Sequence, residues 1–164
     1  MNTIVLNAKQ IEQKINRIAY EILENNFEST SIFLIGIKGN GMALTVELSN
    51  ILKKISDQKI ITAEITVNKQ NPLSDEITTT IDLEEIKGQT VILIDDVINS
   101  GKTMQYALIK LLEHPTKRIK TVALVDRKHR RYPIRCDYVG LTLSTTLQDR
   151  IEVNLDGIKE AYLV

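Results

Sequence analysis

The chain has 164 residues, of which 43% are hydrophobic and 4% aromatic. That is enough for one soluble domain spanning residues 1–164 to bury a full core. Lys plus Arg and Asp plus Glu both number 21, so the net charge of zero carries no nucleic-acid signature and any basic surface must be local. A lone Cys136 excludes an internal disulfide, no run approaches the ~20 apolar residues of a membrane span, and the start lacks a signal peptide's basic-then-apolar order. The expected location is the cytoplasm.

In chain order, Asn7 and Gln10 form a capping box before an amphipathic helix whose Ile11, Ile15, Ile18, Ala19 and Ile22 recur at helical spacing. This helix is expected to pack and to carry no chemistry. The apolar run at residues 32–37 reads as a buried strand. Lys38-Gly39-Asn40-Gly41 follows it, then a helix with Leu44, Leu48, Ile51, Leu52 and Ile55 on one face. The two-glycine loop reads either as a tight turn or as a loop that turns backbone N–H groups toward an anion, with Lys38 adding charge. Residues 60–67 alternate apolar and polar, as in a strand with one covered face. Residues 68–76 are polar and contain Pro72, which fits a mobile loop or a plain hairpin connection to residues 77–81.

The stretch from Val91 to Thr103 is the organising feature. Val91, Ile92, Leu93 and Ile94 make a buried parallel strand ending in Asp95 and Asp96, and a short loop leads into the next amphipathic helix. Ser100 and Thr103 supply hydroxyls, Gly101 admits close backbone approach, and the first helical N–H groups point into the loop, so a phosphate is its natural occupant. The two carboxylates suit the vicinal diol of a sugar attached to that phosphate, because a carboxylate accepts two hydrogen bonds at once. The plainer alternative is that Asp-Asp only ends a strand. A Walker-type nucleotide loop is excluded, since its first Gly and spacing are missing.

The following helix turns Met104, Ala107, Leu108, Leu111 and Leu112 inward and stops at His114-Pro115. His114 is read as an exposed helix-end residue. A strand at residues 119–125 then delivers Asp126 to a carboxyl-terminal strand end, where ligands bind in open α/β sheets. From Arg127 through Lys128, His129, Arg130 and Arg131 to Arg135 the chain is rich in cations, which reads either as an RNA-contacting patch or as a solvated loop with one or two inward residues. Cys136 is read as a small semi-buried residue. Residues 151–154 form a last strand, and the apolar tail at 161–164 is expected to pack.

The stretch 91–103 resembles the phosphoribosyl pyrophosphate (PRPP) motif of type I phosphoribosyltransferases. The resemblance implies that Asp95 and Asp96 contact the ribose hydroxyls as catalytic and binding residues, while Asn99, Ser100, Gly101, Lys102 and Thr103 cradle the 5′-phosphate. It also implies that Lys38, Gly39, Asn40 and Gly41 hold the pyrophosphate. Gly36-Ile37-Lys38 and Gly41 match the Gly-Ile-Lys-Thr-Arg-Gly form of the pyrimidine-operon regulator branch, with Gly39 and Asn40 standing where Thr and Arg would be. Residues 126–130 and 133–140 resemble that branch's Asp-Arg-Gly-His-Arg and Pro-Ile-Arg-Ala-Asp-Tyr-Val-Gly sequences, with Lys128 replacing a Gly. The branch's Tyr-Arg-Asp-Asp cluster is absent. Asn68-Lys69-Gln70-Asn71 takes its place, so Lys69 alone offers a comparable charge.

The implied fold is α/β: a mainly parallel central sheet flanked by helices, with a small hood from the two terminal segments. The implied activity is transfer of phosphoribose from PRPP to uracil, giving UMP and pyrophosphate, with Mg²⁺ arriving on PRPP and no direct protein ligand for the metal. Asp126 and Arg127 take the base-binding place that purine enzymes fill with Lys-Arg, and Asn99 replaces an acid, both of which fit a pyrimidine. The alternatives are a weakly catalytic UMP-sensing regulator that binds an mRNA leader through Arg127, Lys128, His129, Arg130 and Arg135, or a phosphoribosyltransferase for a purine base. A homodimer or higher homo-oligomer is implied by the resemblance alone.

Overall fold

The computed structural model describes residues 2–164. In chain order it contains β1 (Thr3–Leu6), α1 (Ala8–Asn25), β2 (Ser31–Ile37), α2 (Asn40–Ile55), β3 (Lys59–Thr66) and β4 (Thr78–Thr79). A 3₁₀ turn (Leu83–Ile86) precedes β5 (Thr90–Ile98), α3 (Lys102–Leu111), β6 (Arg118–Asp126), β7 (Tyr138–Thr142), β8 (Ile151–Asn154) and β9 (Glu160–Leu163). The main sheet has six strands in the order β4-β3-β2-β5-β6-β7, all parallel except β4, which runs antiparallel to β3. The α/β fold expected from the sequence is therefore the fold observed. The hood is also present, as a three-stranded antiparallel sheet β1-β9-β8 that joins the two ends of the chain.

Strand chemistry explains the sheet. β2, β5 and β6 are almost wholly buried and rich in Ile, Val and Leu, as parallel strands covered on both faces must be. Alternate residues divide between the two faces. Ile92 and Ile94 join the core beneath α1 and α2, where Ile11, Ile18, Leu44 and Leu48 are fully buried. Val91 and Leu93 join the opposite core beneath α3, with Met104 and Ala107. The capping box forms as read: Asn7 Oδ1 accepts from Gln10 N, and Gln10 Oε1 from Asn7 N, each at 2.9 Å.

Three readings change. β5 does not end in the Asp95-Asp96 pair; it continues to Ile98 because Val97 and Ile98 stay in register with Val125 and Asp126 of β6. Leu112 does not face inward, since α3 ends one residue earlier and leaves it 58% exposed. Residues 77–81 yield only the two-residue β4.

The strand order fixes the site. From β2 the chain crosses to β3 on one side, whereas from β5 it moves through β6 to β7 on the other. The loops that follow β2 and β5 thus diverge from adjacent strands, and ligands of open α/β sheets bind in the crevice such a switch point leaves.

Candidate active site

Both loops at the switch point start helices from a glycine. Gly39, at φ 98°, precedes α2, and Gly101, at φ 84°, precedes α3; neither has a side chain to cap its helix, so first-turn N–H groups remain for a ligand. Gly101 also lies against Ile134, since a Cβ added there would sit 2.2 Å from Ile134 Cγ2. Gly41 lets α2 approach β5: a Cβ there would meet Ile94 O at 2.9 Å and Asp95 Oδ1 at 3.1 Å.

Asp95 is 4% exposed, and Asp96 is half-buried beside it. Burial, reinforced by the neighbouring Asp96 charge, holds the Asp95 carboxyl well above the ordinary carboxylate range. Its Oδ1 accepts from Asp96 N at 2.9 Å, and Lys69 Nζ lies 3.9 Å from its Oδ2. Lys69, Asp95 and residues 97–104 line a pocket of about 110 Å³, which gathers Asn99, Ser100, Gly101, Lys102 and Thr103 around one cavity. Lys38, Gly39 and Asn40 are exposed and lie outside that lining. Asn40 still reaches the acids: its Nδ2 donates to Asp96 Oδ2 at 3.2 Å and to Val153 O of the hood at 2.8 Å. The side chain that replaces an Arg here thus ties the β2 loop to β5 and β8.

The segment after β6 departs most from the sequence reading. Asp126 is not an open acceptor, because it is 4% exposed and its carboxylate is taken up within the chain. Oδ1 accepts from Lys128 N at 2.8 Å and Arg130 Nη1 at 3.0 Å, and Oδ2 from Arg130 Nη2 at 2.9 Å. Arg127 is 6% exposed; it donates to Thr145 Oγ1, Asn99 Oδ1, Thr146 O and Asp149 O. His129 Nε2 lies 2.8 Å from Thr145 O. A continuous cationic patch through Arg127, His129 and Arg130 therefore does not exist; these side chains are turned onto acceptors of the chain itself, the buried Asp126 carboxylate among them. Lys128, Arg131 and Arg135 remain on the surface, and Arg135 pairs with Asp137 at 3.1 Å.

What the segment does instead is brace the loop between β5 and α3. Arg130 Nη1 donates to Asn99 O at 3.0 Å, and the N–H groups of Arg131 and Tyr132 donate to Ser100 O at 2.9 and 3.1 Å. Lys128 adopts φ 57°, so the turn does require the left-handed region that the replaced Gly enters freely. Burial pushes the Cys136 thiol up to about 12, which leaves it un-ionised and a poor nucleophile, as read. His114 is less exposed than read and lies 3.2 Å from Glu84.

A phosphoribosyl transferase domain matches residues 1–156. The chain belongs to the phosphoribosyl transferase family. It is 33% identical over 174 residues to the bifunctional protein PyrR of Haemophilus ducreyi, covering 100% of this chain and 97% of that one. Against the bifunctional protein PyrR of Clostridium acetobutylicum it is 33% identical over 167 residues, covering 95% and 92%. These similarities put the chain in the PyrR branch of the type I phosphoribosyltransferases. Its fold is similar to those of a hypoxanthine-guanine phosphoribosyltransferase from Bacillus anthracis (TM-score 0.71, 20% identity, 87% and 82% of the two chains) and the hypoxanthine phosphoribosyltransferase of Trypanosoma cruzi (TM-score 0.73, 20% identity, 86% and 81%). No helix among the described residues is long and apolar enough to cross a membrane.

One contributor was only half read from the sequence and another escaped it. Lys69 was visible as the one cation of its loop, but only folding brings it to Asp95. The loop at residues 143–149 carries no motif, and its part in holding Arg127 has no sequence signal.

Proposed function

We propose that this protein transfers phosphoribose from PRPP to uracil, forming UMP and pyrophosphate. The observation that carries the reading is that, at the switch point, buried Asp95 shares one cavity with the glycine-started loop at residues 99–103, with half-buried Asp96 next to it in sequence. Asp95 and Asp96 take the ribose hydroxyls, and residues 99–103 take the 5′-phosphate. The β2 loop takes the pyrophosphate with Lys69 in place of the missing Arg. Bond cleavage leaves positive charge on the sugar, which the adjacent carboxylates and departing pyrophosphate stabilise, while the two loops hold the reactants in line.

Mg²⁺ fits this site as a passenger of PRPP. Among the described residues no three His, Cys, Asp or Glu side chains gather into a metal site, and Mg²⁺ favours phosphate oxygens and water with one or two carboxylates. The half-buried Asp96 is the carboxylate that would help hold such a complex, and the bound ion would supply charge neutralisation for the pyrophosphate. The test is pyrophosphate release from PRPP and Mg²⁺ with a panel of bases. Release with uracil is expected; release with hypoxanthine and not uracil overturns the reading.

A second reading is favoured by the similarity to bifunctional PyrR proteins and by the exposed Lys128, Arg131 and Arg135. In it the same protein binds an mRNA leader when UMP fills the site, and a homo-oligomer multiplies the patch. Binding of structured RNA should then depend on UMP and fall steeply with salt. Equal binding to any RNA, with or without UMP, excludes it.

A further inference from the structure

Asn40 opens α2, and its exposed side chain reaches two other elements. Nδ2 donates to Val153 O of β8 at 2.8 Å and to Asp96 Oδ2 of β5 at 3.2 Å. A carbonyl and a carboxylate oxygen both accept, so the NH₂ must face them; a flipped amide would set oxygen against oxygen twice. Both amide hydrogens are thereby spent. The remaining polar atom, Oδ1, is an acceptor, which offers an anion nothing. The anchors are firm. Val153 is 8% exposed and stands in register with fully buried Ala161 of β9, which is paired in turn with Leu6 of β1. The backbone of Asn40 lies in a closed turn, because Gly39 O accepts from Met42 N and Ala43 N at 3.1 and 3.2 Å. Lys69 pairs with Asp95 and not with Asp96, so among the described residues no cation stands within ion-pair distance of the Asp96 carboxylate and the Asn40 amide is what orients it.

We propose that Asn40 is a positioning residue for Asp96: it clamps the carboxylate to the hood so that the ribose hydroxyls meet it already oriented, and its side chain does not bind the pyrophosphate. The inference rests on the phosphoribosyl-transfer reading, in which Asp96 takes the ribose diol. An arginine in this place would carry a charge and a long stem able to extend past the acids. Asparagine has neither, and its single methylene keeps the amide over Asp96. The β2 loop then meets a pyrophosphate through the N–H groups that start α2. A free carboxylate must be ordered by the sugar at the moment of binding, whereas a clamped one has lost that freedom beforehand, so the clamp appears as affinity for the diol alone.

The test measures Kd by calorimetry for three probes: UMP, 2′,3′-dideoxy-UMP, which lacks the diol, and pyrophosphate with Mg²⁺. The wild type is compared with Asn40→Ala and with Asn40→Asp, which keeps the side chain's size. Asn40→Ala should weaken UMP about fivefold to tenfold, as one oriented hydrogen bond is worth, and leave the dideoxy nucleotide and pyrophosphate nearly unchanged. The preference for UMP over its dideoxy form therefore collapses. Asn40→Asp should lose at least as much, since it turns acceptors toward both partners. Because the readout is a ratio between two ligands of one variant, general damage to the fold cancels from it. A wild-type preference that persists in Asn40→Ala overturns the proposal, as does an equal loss for both nucleotides, the mark of a merely structural residue. A loss confined to pyrophosphate overturns it too, by making Asn40 a direct contact of that group. Each of these three leaves the transferase reading standing. A wild type that binds UMP no better than its dideoxy form removes Asp96 from the ribose and overturns both.

Discussion

Gly101→Ala is the sharpest test of how the phosphate loop is built. Two costs arise at that position. At φ 84° an alanine enters the left-handed region, at about 1–2 kcal/mol. Its Cβ would also lie 2.2 Å from Ile134 Cγ2, where carbon atoms prefer about 3.5–4.0 Å. Ile134 is 8% exposed in the core under α3, and its carbonyl accepts from Arg130 Nε at 3.0 Å, so it cannot withdraw without disturbing the braced segment. Overpacking of this kind costs about 1–3 kcal/mol. The expected total is about 2–5 kcal/mol, which at a urea dependence of about 2 kcal/mol per molar moves the unfolding midpoint down by 1 M or more. Combining it with Ile134→Ala separates the two costs, because the double variant should lose less than the sum of the singles while the backbone share persists. A midpoint for Gly101→Ala within about 0.3 M of the wild type, or strict additivity in the double variant, would refute the argument.

Other outcomes follow from the same geometry. Asp95→Asn should abolish PRPP binding by calorimetry yet raise the urea midpoint at pH 8. The folded chain holds the Asp95 proton more tightly than the unfolded chain does, so wild-type stability falls as pH rises above the ordinary carboxylate value, a slope that Asn removes. The gain should shrink toward pH 4, and a lower midpoint at pH 8 would contradict the assigned burial cost. Lys128→Gly should stabilise the protein by up to about 1 kcal/mol by relieving the left-handed turn; a measured loss would mean that Lys128 makes an offsetting contribution. Lys69→Ala should weaken PRPP binding roughly threefold to fivefold, as suits a half-exposed cation, with little change in thermal midpoint. Equal affinity would remove Lys69 from the site.

The sheet was legible because buried parallel strands need unbroken apolar runs, and residues 32–37, 91–94 and 122–125 supply them. The phosphate loop was legible because its chemistry is local: hydroxyls, a glycine and a helix start within five residues. What escaped depends on partners distant in sequence. Asp95 and Asp96 read as a strand end because nothing nearby reveals that β6 carries the register on to Ile98. β7 went unread because Gly140 weakens its pattern, though that glycine is what admits Leu124 O to within 2.4 Å of where a Cβ would stand. Charge counting found the cations after Asp126 but gave no direction to them. Arg127 and Arg130 turn inward only because Asn99, Asp126 and the loop at 143–149 converge on them in space.

Helices α2 and α3 start from neighbouring strands yet cover opposite faces of the sheet, so their amino-terminal ends approach the crevice from two sides. On the proposed assignment of the two loops, the protein would act as a gauge for the separation between two anionic groups on one molecule. A compound with a single phosphate can satisfy one end only, whereas a ligand phosphorylated at both ends gains its second contact at the high effective concentration that tethering confers. Length between charges, set by the spacing of two β-strands, becomes a selection rule that needs no side chain of its own.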